Sequence, residues 1–261
     1  MSSLRFALTD ALVLSQRSLK RIQRQPDLLT AFTIQPIMFV LLFAYVFGGA
    51  ISVGPEFDGD YKDFLMPGIM VQSIAFGGFV TALGLAEDLN KGLIDRFRSL
   101  PMAQSAVLTG RTIADISTNG LQLAIMIVVG LLIGFDFDTS VLEVVGGILL
   151  LLLIGYAFSW MFAWVGLSSG SPESANAFGF TAIFPLTFLS TAFVPADTMP
   201  APLEYFAENI NPFSTMVDAT RALFLGTPAG SDIWVSVLWC IGLIALFSYL
   251  SARTYRNAIR S

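Results

Sequence analysis

Six apolar blocks, at about 28–50, 66–86, 112–134, 143–167, 175–194 and 232–252, set the terms for any fold of this 261-residue chain. A helix needs roughly 20 apolar residues to cross the hydrocarbon of a bilayer, and each block is near that length. Inside lipid, peptide groups have to be satisfied within their own segment, so a lone apolar block forms a helix. Composition points the same way. Hydrophobic residues make up 55% of the chain and charged ones 13%, with a mean hydropathy of +0.73. A soluble domain carries about 25% charged residues. The expected fold is an all-α membrane protein with six transmembrane helices in one domain, 1–261.

Lysine and arginine gather on the cytoplasmic side of such proteins. With both termini inside, the segments 1–27, 87–111, 168–174 and 253–261 are cytoplasmic and hold twelve of the fourteen Lys and Arg. Only Lys62 and Arg221 then fall outside. The first outer loop is acidic, with Glu56, Asp58, Asp60 and Asp63. Plain solvation accounts for these charges, as does attraction of cationic compounds. The first 27 residues have no compact apolar core or small-residue cleavage site, so no cleavable signal is expected. On a helix, Leu4, Leu8, Ala11, Leu12, Ser15, Leu19 and Ile22 share one arc, with Arg5, Arg17, Lys20, Arg21 and Arg24 on the other side. Such a helix suits the inner membrane surface, basic side toward anionic headgroups. A solvated helix is the other reading.

Several chemistries are closed to this sequence. It has no histidine and a single cysteine, Cys240. Histidine-based nucleophile systems and histidine zinc sites are therefore absent, and no disulfide forms within one chain. No GxxxxGK[ST] phosphate loop occurs, so any ATP has to be bound by another chain. No metal, no cofactor of its own and no nucleic-acid partner are expected. Gln35, Gln72, Asn119 and Gln122 are uncharged amides within the blocks, expected to bond between helices rather than to ligate substrate. Asp115 lies near the cytoplasmic end of the third block, four residues from Arg111. No acidic residue is expected at mid-membrane, which argues against an ion-coupled carrier. Tyr156, Phe158, Trp160, Phe162 and Trp164 alternate through the fourth block. That spacing scatters rings around a helix, so many should face lipid and some line a path.

The stretch Glu87 to Pro101 follows the second block. Residues 88–100 would form a helix about 20 Å long, with Leu89, Leu93 and Phe97 on one side and charges on the other. Pro101 ends it. An amphipathic helix lying along the membrane suits docking into a soluble partner's groove; an ordinary topogenic basic loop has the same composition.

The run Asp95-Arg96-Phe97-Arg98-Ser99-Leu100-Pro101, followed by Gly110-Arg111 and Asp115, resembles the cytoplasmic loop of ABC-2 type permeases, above all the membrane subunits of daunorubicin-type exporters. Pro185, Ser190 to Pro195, Asn211-Pro212-Phe213 and Ala219 to Gly226 form a second matching region. The number and order of blocks also agree. The resemblance implies a coupling helix seated on an ATP-binding subunit, carried here by Glu87, Asp88, Lys91, Gly92, Asp95, Arg96, Phe97, Arg98, Leu100 and Pro101. It implies an N-terminal elbow helix with Arg17, Lys20, Arg21 and Arg24. It also implies an external re-entrant hairpin at 195–231, with Pro195, Asn211, Pro212, Asp218, Arg221 and Gly226. The residues themselves agree with a hairpin: Pro195, Pro200, Pro202, Pro212 and Pro228 cut the segment into pieces too short to span. Asp218 and Arg221 are spaced to pair on one helical face. A soluble external cap is the alternative.

The resulting expectation is a non-enzymatic permease subunit in a bacterial cell membrane, both termini cytoplasmic. It would pair with a second permease copy and a cytoplasmic ATPase that holds ATP and magnesium, and it would export an amphipathic or lipid-like compound such as a drug, polyketide, glycolipid or polysaccharide. An ATPase-independent secondary transporter or scramblase is the runner-up; an intramembrane enzyme is poorly supported, its one opening being Ser-Lys chemistry, for which Lys62 and Lys91 both lie in loops outside the spans.

Overall fold

A computed structural model describes residues 26–48, 57, 59–91 and 104–258. Arg17, Lys20, Arg21 and Arg24 of the expected elbow lie outside the described residues, as do Gly92, Asp95, Arg96, Phe97, Arg98, Leu100 and Pro101 of the expected coupling stretch.

Helices account for the ordered secondary structure, and no strand occurs among the described residues. They are α1 (Pro26–Leu41, widening into a π-helix over Leu42–Phe47), α2 (Tyr61–Phe76), α3 (Phe79–Asn90), α4 (Gln104–Leu132), α5 (Val141–Ser168) and α6 (Pro172–Phe188). After a short 3-10 turn at Ala196–Thr198 come α7 (Ala201–Asn209), α8 (Pro212–Leu225) and α9 (Asp232–Ala258). Four stretches are long and apolar enough to cross a membrane: Tyr61–Asn90, Gly110–Leu132, Val141–Ser168 and Asp232–Arg256. The apolar part of α1, Ile34–Phe47, is shorter.

Helix starts are written locally. Ser140 Oγ accepts the Glu143 N–H at 3.4 Å while the Glu143 carboxylate takes the Ser140 N–H at 2.8 Å, a reciprocal cap that opens α5. Ser171 and Ser174 do the same for α6, with Pro172 at its first position. The fifth block departs from expectation at its far end. Its helix stops at Phe188, and residues 189–194 turn back instead of continuing. Pro185 has no N–H to offer one turn back, which loosens the ladder just before that turn.

α5 touches α2, α3, α4, α6, α8 and α9, and its second half is the more deeply packed. This overturns the expectation that its alternating rings mostly face lipid: Phe158, Trp160 and Phe162 are buried. The first part of α5 is open, with Val141, Leu142, Val145 and Leu149 exposed, but the part that carries the rings is packed round by its neighbours and has little lipid face to give them. Phe162 packs on Phe79 of α3 with ring centroids 4.4 Å apart. At one end of the bundle Leu85, Trp160, Ala163, Leu167 and Tyr255 form a second apolar cluster joining α3, α5 and α9.

Candidate functional site

Two polar clusters stand out against the apolar bundle, at opposite ends of the Tyr61–Asn90 stretch. The first is a seam between α4 and the helices α2 and α3. Arg111, Asp115, Asn119 and Gln122 follow one another at four, four and three residues, so they share a face of α4. Arg111 Nη1 donates to Asp88 Oδ2 at 2.8 Å. Thr81 Oγ1 donates to Asp115 Oδ2 at 2.6 Å. Gln122 Nε2 donates to Ser73 Oγ at 2.7 Å. Asn119 sits where α2 gives way to α3: a Cβ on Gly77 would come within 2.2 Å of its Oδ1, and one on Gly155 within 2.4 Å of its Nδ2. Its amide is buried with no partner among the described residues.

Arg111 and Asp115 stand one turn apart on α4, and each also reaches a neighbour on α3. Arg111 reaches across to Asp88, and Asp115, only 4% exposed, takes the Thr81 hydroxyl. Gly84 makes room, since a Cβ there would lie 1.6 Å from Arg111 Nη2. The Arg111 and Asp88 side chains are 14% and 19% exposed, so salt screens this pair far less than a surface bridge. Glu87 and Lys91, 3.4 Å apart on the last turn of α3, are the ordinary exposed kind, worth about 0.3–0.5 kcal/mol. Thr81 and Ser73 carry no signal of this role in the sequence, whereas Gly84, with Gly77 and Gly78, reads there as a small-residue face for close helix packing; the four-four-three spacing on α4 is the other signal available.

The second cluster is built around α8. This 14-residue helix is too short to span, yet it packs against α2, α5 and α9. Asn211 caps two helices at once. Its Oδ1 accepts the Phe213 N–H at 3.0 Å, opening α8, with Pro212 at the first helical position. Its Nδ2 donates to the carbonyls of Leu186 at 2.8 Å and Leu189 at 2.7 Å, near the end of α6. Those carbonyls would otherwise lack donors. Asn211→Ala is expected to cost about 2–3 kcal/mol by thermal unfolding in detergent. Asn211→Asp keeps the acceptor and loses both donations, so it should recover no more than about 1 kcal/mol of that. Full recovery by Asp would remove the second role.

Arg221 is the hub. Its Nη1 donates to Asp218 Oδ1 on the same helix. Its Nη2 donates to the Phe64 carbonyl at 3.1 Å and the Thr191 carbonyl at 2.9 Å, and its Nε to the Phe64 carbonyl at 3.3 Å. The guanidinium carbon lies 3.8 Å from the centroid of the Phe64 ring, within cation–π range. Thr191 Oγ1 donates to Asp218 Oδ1 at 3.0 Å, closing a ring of contacts. Tyr61 adds a hydroxyl donation to the Phe193 carbonyl at 2.8 Å. At its other end α8 finishes on Gly226, whose φ of 70° is the left-handed cap glycine adopts freely. Thr139 Oγ1 and the Asp138 N–H serve the Leu223 and Phe224 carbonyls at 2.7 and 3.0 Å. Pro195 starts the 3-10 turn, its carbonyl accepting from Thr198 Oγ1 at 2.7 Å.

Membrane-length helices, internally satisfied charges and a short helix held among long ones define a polytopic helical membrane protein. Residues 9–225 match the ABC-2 type transporter family, and the chain belongs to that family. It is 35% identical to the daunorubicin resistance ABC transporter permease protein DrrB1 of Streptomyces coeruleorubidus over 92% of this chain and 84% of that one. A probable doxorubicin resistance permease, DrrC of Mycobacterium tuberculosis, is 23% identical over 97% of this chain and 91% of its own. The putative transport permease ycf38 of Cyanophora paradoxa is 26% identical over 84% and 75%.

Proposed function

We propose that this chain is the membrane-spanning subunit of an ATP-driven exporter, with six spans and both termini in the cytoplasm. The observation that carries this reading is the family match across most of the chain, together with a relative named as a drug-resistance permease. The segment Glu87 to Pro101 seats on a separate ATPase, which holds nucleotide and magnesium; the chain itself holds no cofactor and catalyses nothing. The basic segment with Arg17, Lys20, Arg21 and Arg24 lies on the inner surface. Two permease copies form the unit, and the cargo is an amphipathic, drug-like or lipid-like compound.

Two structural facts support the reading. The Asp88–Arg111 pair fixes the last turn of α3 to α4, so a push on the segment that follows is passed to two spans instead of one. The hairpin holding Pro195, Asn211, Pro212, Asp218, Arg221 and Gly226 satisfies its own charges and carbonyls, as backbone dipping into a membrane has to. An ion-driven carrier is the reading favoured by one observation, the buried carboxylate of Asp115 within α4. Its hydrogen bond from Thr81 fits a structural tie equally well.

The test is co-purification. Arg96→Glu combined with Arg98→Glu is expected to lower recovery of the cognate ATPase with the tagged permease at least about tenfold, since charge reversal at a docking contact costs several kcal/mol. Export should fall with it. Unchanged association would remove the docking role, and transport persisting without nucleotide would favour the carrier.

A further inference from the structure

The 30-residue apolar stretch Tyr61–Asn90 is not one helix. It breaks near its middle, where α2 ends at Phe76 and α3 starts at Phe79. At the break the Gly77 N–H is shared between the Ser73 and Ile74 carbonyls, 3.1 Å from each, instead of serving one acceptor four residues back. Two adjacent glycines on a loosened ladder are a known cause of helix bending. Each half has its own moorings. α2 is tied toward the hairpin, through Tyr61 to the Phe193 carbonyl and through the Phe64 carbonyl to Arg221, with α8 packed on it. α3 is tied to α4 through Thr81 to Asp115 and Asp88 to Arg111, with α6 packed on it.

Asn119 of α4 stands opposite this break. It is fully buried, its Oδ1 faces Gly77, and neither atom of its amide has a partner among the described residues. A buried amide left without a partner is costly, so the present packing carries a penalty that a second arrangement can relieve. We propose that Gly77–Gly78 is a hinge within the Tyr61–Asn90 stretch and that Asn119 is its positioning residue. When α3 tilts against α2, peptide groups at the break leave the helical ladder. The Asn119 amide, a donor at one end and an acceptor at the other, receives them. The amide held idle in one form thus lowers the cost of the bent one. The inference rests on the exporter reading above for what drives the tilt, since the ATPase pushes at the cytoplasmic end of α3.

Thermal unfolding is measured on the permease alone, in nanodiscs of phosphatidylcholine and phosphatidylglycerol, and MgATP turnover on the same permease with its cognate ATPase. Asn119→Ala combined with Gly77→Ala removes the idle amide and puts a methyl group into the space it leaves. The melting temperature is expected to rise by about 2–4 °C, from relief of the buried amide and the better helix propensity of alanine. Turnover is expected to slow about tenfold, because the bent form loses both its receiver and its flexible joint. Asn119→Ser keeps a donor and an acceptor and should stay within about threefold of the parent's turnover. Gly120→Ala is the control for stiffening elsewhere on α4, since a Cβ there meets only Leu152, at 4.0 Å, and turnover should not change. A melting temperature at or below the parent's in the double variant overturns the inference, because the amide then supports the present packing. So does a raised melting temperature with unchanged turnover, or an equal slowing by Asn119→Ser or Gly120→Ala. A parent permease that recovers no ATPase fails at the earlier step: the exporter reading falls, and the hinge with it.

Discussion

Arg221→Met is expected to cost about 3–5 kcal/mol, the usual penalty for removing one partner of a buried ion pair. Three losses combine. Asp218 keeps its charge with only Thr191 Oγ1 to answer it, and the Phe64 and Thr191 carbonyls lose a donor. The Phe64 ring also loses the cation above it. Since proteins hold only about 5–15 kcal/mol in reserve, such a loss should show as poor recovery and an early thermal transition in detergent. Arg221→Met with Asp218→Asn removes the uncompensated charge and should recover part of the loss, but not the carbonyl donations. Arg221→Lys should fall between, because a single ammonium lacks the fork that reaches three acceptors. If Arg221→Met unfolds within about 1 kcal/mol of the parent, the hub is a surface ornament and the account of α8 is wrong.

Gly68→Ala is the second large effect. A methyl group there would stand 2.2 Å from the Ala192 carbonyl oxygen and 2.8 Å from its carbon. Both are backbone atoms, so no rotamer change relieves the clash. The turn at 189–194 is also held on several sides. Ser190 Oγ donates to the Thr187 carbonyl at 2.6 Å, the Thr191 N–H to Ser214 Oγ at 3.3 Å, and Arg221 grips the Thr191 carbonyl. Alanine gains about 1 kcal/mol in helix propensity over glycine, while overpacking a tight contact costs about 1–3 kcal/mol or more. The clash wins, with a net loss of about 2 kcal/mol expected in thermal unfolding. Gly170→Ala is the control, since a Cβ there meets nothing within 4 Å. Equal melting of the two variants would mean that α2 and the turn are not in close approach.

The comparison with Gly84 sharpens the point. There the atom in the way is the tip of the Arg111 side chain, which can swing aside. A substitution at Gly84 therefore spares the fold and breaks the tie to Asp88. One glycine guards the architecture and the other the seam.

Much of this was written in the sequence. The apolar blocks announced the helices because lipid leaves backbone polar groups no other partner. The caps of Ser140 with Glu143 and of Ser171 with Ser174 depend on neighbours in the chain, yet hydropathy alone put those starts two or three residues late, at 143 and 175. The prolines between 195 and 228 marked a segment cut into short pieces. The coupling stretch was legible only in part, since Glu87, Asp88 and Lys91 fall on α3 and its remaining residues lie outside the described ones.

Other features had no local signature. The acceptors of Arg221 are main-chain carbonyls, one of them 157 residues away, and a carbonyl looks the same at every position. Asn211 reads as a helix cap, but its grip on Leu186 and Leu189 depends on two helices meeting. The inward rings of α5 were misread for a related reason. In a bilayer an apolar side chain is at home against lipid and against protein alike, so hydropathy does not tell inside from outside. The order of residues alone determined where helices run and which pieces stay out of hydrocarbon. Which face of each helix meets another, and so which polar group finds a partner and which, like Asn119, is left without one among the described residues, was decided only when the helices packed, because those partners are distant in sequence and are brought together by tertiary contact alone.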